Sequence, residues 1–236
     1  MRYVEVGGEK VSAIGLGAWQ FGSREWGYGS HYAEHDAVDI VHRALDLGMN
    51  LIDTAEIYGF GRSERIVGRA IADRRAEVFL ASKVLPIFPV RTVVARRAAG
   101  SARRLGVAQM DLYQLHWPNP VVPLAEQMAA MRDLQRSGEI RHIGVSNYSL
   151  ERWQAAEGAL GGPVLSNQVR FNLVDRRPLK ALTEWAVAND RVVIAYSPLA
   201  QGLLSARYDS GHRPTAMRAK SPPAMTPRRL RWPWPG

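Results

Sequence analysis

Seven short apolar runs recur along the chain, at 14–17 (IGLG), 50–53 (NLID), 78–83 (VFLASK), 111–116 (DLYQLH), 142–145 (HIGV), 164–169 (VLSNQV) and 192–196 (VVIAY). Helical spacing fills the intervals. Ala37, Val41, Ala44 and Leu45 form one apolar stripe that stops at Gly48, and Leu124, Met128, Met131 and Leu134 form another that stops at Gly138. A glycine just past such a stripe suits the left-handed C-cap of a helix, and methionines at that spacing read as core filler. Pro178 suits the first turn of a further helix over 178–189. Strands apolar on both faces that alternate with helices imply a parallel sheet covered by helices.

A doubly wound sheet and a (β/α)8 barrel both satisfy that alternation. The first strand-to-helix turn, GLGAWQFG, has glycines at 15, 17 and 22, which is not the G-x-G-x-x-G spacing of a dinucleotide-binding turn. The polar residues favour the barrel. Asp53, Lys83, His116, Ser146, Gln168 and Tyr196 fall at or just past the C-terminal ends of six successive runs, and in a barrel those positions converge on one face. Ahead of the first run, RYVEVGGEKVSAI alternates about Gly7-Gly8 and predicts a β-hairpin that plugs the barrel bottom.

Composition narrows the function classes. No stretch of about 18 uncharged apolar residues is present, which argues against a membrane span. The N-terminus lacks an apolar signal-peptide core, and the chain has no cysteine for a disulfide framework or a thiolate metal site. A cytoplasmic protein is the expectation. Of the 31 Lys/Arg and 22 Asp/Glu, seven bases and one acid lie in residues 207–236, so most of the +9 net charge belongs to the last thirty residues. That segment ends TPRRLRWPWPG, with basic residues between aromatics as in a nucleic-acid-binding arm. It also holds six of the fourteen prolines and reads better as a solvated, disordered tail. The body is mildly basic, so a nucleic-acid partner is not expected. His31 and His35 have the spacing of a helical metal pair, but the run looks like loop and no third ligand is apparent.

An aspartate, a tyrosine, a lysine and a histidine at one barrel mouth suggest proton transfer. Tyr58 follows Asp53 by five residues, so both belong to the loop after the second run. A phenol is a poor acid at neutral pH, and a nearby ammonium lowers its pKa. Lys83 could supply that charge, with Asp53 paired to it, and His116 could hydrogen-bond a substrate oxygen. Lys83 is one of only four lysines beside 27 arginines, which suggests a need for a compact ammonium. The group suits proton donation to a carbonyl oxygen that is gaining negative charge, with hydride drawn from a nicotinamide cofactor. Singly, each residue has a plainer role: Asp53 and Ser146-Asn147 as caps, Tyr58 and His116 as packing, Lys83 as a surface pair.

NLIDTAEIYGFGRSERIVGRAI, ASK, DLYQLHWP, IRHIGVSNYS, NQVRFNLVDR and AYSPLAQGLL run in order from about residue 12 to 206. With these strings the chain resembles the aldo-keto reductase superfamily. The resemblance implies a (β/α)8 barrel that reduces a small aldehyde or ketone with NADPH. It implies Tyr58 as proton donor, Asp53 and Lys83 as its tuning pair, and His116 as the residue that orients the carbonyl. Ser146, Asn147 and Gln168 would hold the nicotinamide carboxamide, and Tyr196 would stack on its ring. Ser197, Leu199 and Gln201 would line the pyrophosphate path, and Trp19 would border the substrate.

After GLLSARYD the motifs depart from that pattern. RPTAMRAKSP still resembles the family's loop, but residues 207–236 offer no apolar run long enough for an eighth buried strand. The expectation is an incomplete barrel over 1–206 that lacks the eighth β/α unit, from truncation or frame shift, with a Pro/Arg-rich tail over 207–236. Such a chain would lack the adenosine clamp and its discrimination between NADP and NAD. A catalytically inactive nucleotide-binding or regulatory barrel is the alternative expectation. Nothing in the sequence sets the oligomeric state or the natural substrate.

Overall fold

A computed structural model describes residues 1–204 of the chain. The expected tail at 207–236 and its possible nucleic-acid role lie outside those residues. The chain opens with the hairpin: β1 (Tyr3–Val6) pairs antiparallel with β2 (Glu9–Ser12), and Val6 faces Glu9 across Gly7-Gly8. Both glycines have positive φ, +56° and +79°, which two-residue hairpin turns of the favoured twist require.

Seven parallel strands follow: β3 (Leu16–Gly17), β4 (Leu51–Asp53), β5 (Phe79–Val84), β6 (Met110–Leu115), β7 (Ile140–Ser146), β8 (Ser166–Arg170) and β9 (Val192–Tyr196). Each pairs with the next, so spatial order equals sequence order, as in a singly wound barrel. The connections carry α1 (Glu34–Asp46), α2 (Arg62–Ala70), α3 (Arg91–Leu105), α4 (Leu124–Arg136), α5 (Leu150–Leu160) and α6 (Ala181–Ala188). Every apolar run expected as a strand forms one.

The sheet curls strongly. In a flat sheet β4 and β8, four spacings apart, would stand roughly 19 Å from each other. Gln168 on β8 nevertheless donates from Nε2 to Asp53 Oδ1 on β4 at 2.9 Å. The two side chains meet across the interior of a (β/α)8-type barrel. Among the described residues β3 and β9 are its edge strands. β5 and β6 are buried throughout, whereas β9 is mostly half-buried.

Alternate residues point into the barrel, and the inward set at its lower end forms its own core. Val6 and Val11 of the hairpin pack there with Leu51, Phe79, Leu112 and Leu165. The hairpin therefore plugs the bottom as expected, and each buried valine contributes about 1.5–3 kcal/mol. Outward-facing strand residues pack against the helices in a larger cluster centred on Trp153, Tyr113 and Met128. The predicted stripe of α1 is buried, that of α4 is buried except for the half-buried Leu124, and Gly48 and Gly138 both take φ +81° at the helix ends.

One helix boundary differs. The sixth helix begins at Ala181, because Lys180 has φ +78°, outside the helical region. Pro178 sits instead in a turn closed by the Leu179 N–H on the Arg176 carbonyl. Among the described residues no helix is long and apolar enough to cross a membrane. His31 lies in a loop, and His35 in the first turn of α1 stands 3.4 Å from Asp36.

Candidate active site

The C-terminal ends of the strands form a shared mouth, and the inward residue at each end projects into it. Lys83 is the most deeply set. Its side chain is 0% exposed, and Nζ donates to Asp53 Oδ2 at 2.6 Å, to the Thr54 carbonyl at 2.9 Å and to Tyr58 Oη at 3.3 Å. All three partners come from the end of β4 and the loop beyond it. Three oxygens around one ammonium match its three donors, so the buried charge is fully satisfied.

Electrostatics follows from burial and these contacts. Burial opposes the charged form of Lys83, but Asp53 and Tyr58 outweigh it and hold the ammonium above its ordinary value. For Tyr58 the balance runs the other way. Burial raises its pKa, Lys83 pulls it down and Asp53 adds a smaller upward push, and the phenol ends above its ordinary value. The expectation that the ammonium lowers the phenol pKa thus holds for that one contact, while burial decides the sum. Tyr58 is accordingly a neutral phenol at pH 7.

His116 stands edge-on to Tyr58, with ring centroids 5.7 Å apart and planes at 79°. Burial, helped by the Lys83 charge, pushes its pKa down to about 3, so the imidazole is neutral across the physiological range. Among the described residues its buried Nδ1 has no hydrogen-bond partner. Trp117 stacks on it with centroids 3.9 Å apart, and that indole is 42% exposed at the rim.

A second cluster joins the ends of β6 to β9. Asn147 donates from Nδ2 to the His116 carbonyl at 3.1 Å and to Ser146 Oγ at 3.0 Å, and its Oδ1 accepts the Tyr196 hydroxyl at 2.9 Å. Ser146 Oγ donates to the Gln168 carbonyl at 2.8 Å. Asn147 has φ +63°, a strained conformation for a residue with a side chain. Ser149 rather than Ser146 caps α5, accepting the Arg152 N–H, which leaves Ser146-Asn147 to the mouth. These hydroxyl and amide groups, beside a Tyr196 ring whose hydroxyl is pinned, fit a flat ring with a carboxamide substituent, the chemistry of a nicotinamide.

The structure thus brings Asp53, Tyr58, Lys83 and Gln168 into direct contact, with His116 against Tyr58. It joins Ser146, Asn147 and Tyr196 around the same mouth. Ser197, Leu199, Gln201 and Trp19 make no hydrogen bond to either cluster among the described residues. Ser197 and Gln201 have φ +52° and +57°, and the Ser197 carbonyl accepts from Asn172 Nδ2 at 3.0 Å. Leu199 is 56% exposed, and Trp19 packs edge-on against Trp26 with centroids 5.4 Å apart. Sequence reasoning missed Thr54, which serves Lys83 through its backbone carbonyl and so leaves no side-chain signature.

Residues 13–233 match the Aldo/keto reductase family, and the match continues past 206 into the part outside the described residues. An uncharacterized oxidoreductase of Mycobacterium tuberculosis is 56% identical over 223 residues, covering 94% of this chain and 69% of that protein. The crystal structure of a thermostable aldo-keto reductase, Tm1743, in complex with the inhibitor epalrestat superposes with a TM-score of 0.80 at 38% identity, covering 87% of this chain and 76% of that one. That of an aldo/keto reductase from Klebsiella pneumoniae in complex with NADP and acetate gives a TM-score of 0.75 at 36% identity, covering 85% and 69%.

Proposed function

The chain belongs to the aldo/keto reductase family of oxidoreductases, and on that premise we propose that it reduces an aldehyde or ketone to the alcohol with NADPH, Tyr58 delivering the proton. The observation that carries this reading is the fully buried Lys83 ammonium, held between Asp53 at 2.6 Å and the Tyr58 hydroxyl at 3.3 Å. Desolvating an ammonium is costly even when carboxylate and carbonyl partners satisfy it, and proton transfer from the phenol beside it gives that charge a use.

NADPH, when bound, supplies the hydride. Every other part of the reaction falls to the chain's own groups. Tyr58 holds its proton at Oη until negative charge develops on the carbonyl oxygen, because its raised pKa disfavours phenolate in the resting site. Once the proton has left, Lys83 stabilises the phenolate, and Asp53 keeps Lys83 charged and oriented. His116, neutral with a pKa near 3, offers a hydrogen bond to the same oxygen without competing for its proton. Ser146, Asn147 and Gln168 would take the carboxamide of the nicotinamide, and Tyr196 would cover one face of its ring. Ser197, Leu199 and Gln201 would lie along the pyrophosphate, and Trp19 and Trp117 would border the carbonyl compound.

NADPH oxidation followed at 340 nm with a panel of aromatic and aliphatic aldehydes tests the proposal. Activity is expected in the wild type, with a loss of about 10³-fold or more in Tyr58→Phe. Undiminished turnover by Tyr58→Phe would remove Tyr58 from the role.

A further inference from the structure

The loop that carries Tyr58 is anchored by a pair of side chains that the chemistry above does not use. Past the end of β4 the backbone keeps parallel register with β5: the Thr54 N–H donates to the Ala81 carbonyl at 2.9 Å and the Glu56 N–H to the Lys83 carbonyl at 3.3 Å. The next rung would fall on Leu85. There a side chain replaces the backbone, and Glu56 Oε1 accepts the Leu85 N–H at 2.5 Å.

Arg97, on α3, completes the arrangement. Its Nε donates to Glu56 Oε2 at 3.0 Å, its Nη2 stands 3.0 Å from Oε1, and its Nη1 donates to the Leu85 carbonyl at 2.9 Å. One carboxylate and one guanidinium thus hold both the N–H and the C=O of Leu85. Leu85 lies two residues beyond Lys83, and Tyr58 two residues beyond Glu56. The Glu56 side chain is 10% exposed and that of Arg97 25%, so water competes little for these bonds.

We propose that Glu56 and Arg97 are the positioning pair for Tyr58: together they hold the 54–58 loop on β5 and thereby set the distance from the Tyr58 hydroxyl to the Lys83 ammonium. The need for such a device follows from the geometry. At 3.3 Å that bond is already just longer than the usual range, and a displacement of about 1 Å in a reacting group can cost about 10²-fold in rate. An exposed ion pair would supply little rigidity. A bidentate, sheltered pair that also grips backbone on both sides supplies direction as well as energy.

The rate consequence rests on the reading of Tyr58 as proton donor, so the test has a kinetic arm and an arm independent of turnover. In the full chain, Glu56→Ala is expected to lower kcat about 10- to 100-fold with NADPH affinity, read by protein fluorescence, kept within about two-fold. Glu56→Gln, which retains an acceptor for the Leu85 N–H, and Arg97→Lys should lose less. The second arm follows the Tyr58 ring-carbon resonance by NMR of ¹³C-tyrosine-labelled protein against pH, identified by its absence in Tyr58→Phe. Lys83, Asp53, His116 and Tyr196 all face that ring, but burial contributes most to its shift. A loosened loop that admits water should therefore move the titration down toward ordinary phenol values. Wild-type kcat in folded Glu56→Ala, an unmoved Tyr58 titration, or a parallel fall of kcat and NADPH affinity would overturn the proposal. Should the wild type reduce no carbonyl, the NMR arm alone decides the positioning role.

Discussion

Gln168 on β8 donates to Asp53 on β4 at 2.9 Å, so the residue suited to a nicotinamide carboxamide also touches the carboxylate that orients Lys83. The two carboxylate oxygens of Asp53 are thus divided, Oδ1 to Gln168 and Oδ2 to Lys83. In the proposed reaction the cofactor site and the proton-transfer site would therefore share a residue.

This contact predicts that Gln168→Leu lowers both nucleotide affinity and kcat. Loss of one hydrogen bond to a carboxylate costs about 1.5–3 kcal/mol, or roughly 10- to 150-fold in the affected step. Gln168→Glu should be worse than Gln168→Leu in kcat, because it sets a second carboxylate against Asp53. Equal kcat for the wild type and both variants would show that the contact plays no part in turnover. NADPH titration by fluorescence beside steady-state kinetics separates the two effects.

Lys83→Met addresses stability. Removing the ammonium leaves Asp53 as an uncompensated carboxylate whose side chain is 15% exposed. Breaking one member of a buried pair costs about 3–5 kcal/mol, whereas replacing both by apolar groups is often neutral. Urea unfolding should therefore show Lys83→Met strongly destabilised and the Lys83→Met/Asp53→Leu double variant substantially restored, with neither reducing carbonyls. A double variant no more stable than the single one would mean that the pair is not a self-contained unit.

The pH dependence of stability should carry a signature of His116. Its folded pKa is lowered from an ordinary 6.5 to about 3 by burial and the Lys83 charge. Between those values the unfolded chain takes up a proton that the folded chain refuses. Stability from this group is present above about pH 6.5 and is lost on acidification, by at most about 1.4 kcal/mol per pH unit down toward pH 3. Urea unfolding between pH 7 and 4.5 should show the stability of the wild type falling relative to that of His116→Gln as pH falls. Parallel profiles would place His116 in a more solvated or better-partnered setting.

Much of this architecture was legible in the sequence because strands and polar termini follow local rules. VFLASK is buried along its whole length as β5, and its final lysine reaches the mouth because alternate residues face inward. The same rule carried Asp53, His116, Ser146, Gln168 and Tyr196. What remained hidden depends on distant parts of the chain. The Gln168–Asp53 bond spans 115 residues and exists only because the sheet curls. The net shift of Tyr58 depends on how much protein surrounds the ring, which no spacing reveals. A proline at the first turn of a helix and a proline in the turn before it look alike locally, so the sequence does not show that α6 starts at Ala181 and not at Pro178.

Barrel packing beneath the mouth yields the last prediction. Gly144 lies on β7 between Ser166 of β8 and Gln114 of β6, its interior neighbours in the sheet. A Cβ at Gly144 would come within 2.3 Å of Ser166 Oγ, 2.9 Å of Gln114 Cγ and 3.1 Å of Leu112 Cδ1. The serine can rotate away, but the other two atoms are confined by a fully buried layer. Gly144→Ala is therefore expected to cost about 1–3 kcal/mol through overpacking. Because this layer supports Ser146, two residues further along β7, nucleotide affinity should fall as well. Ser166→Ala in the same background removes the closest clash and should recover part of the loss. A thermal scan of the two single variants and the pair checks this, and an unaltered midpoint in Gly144→Ala would mean that the barrel interior is looser at this level than the close approach of β6, β7 and β8 implies.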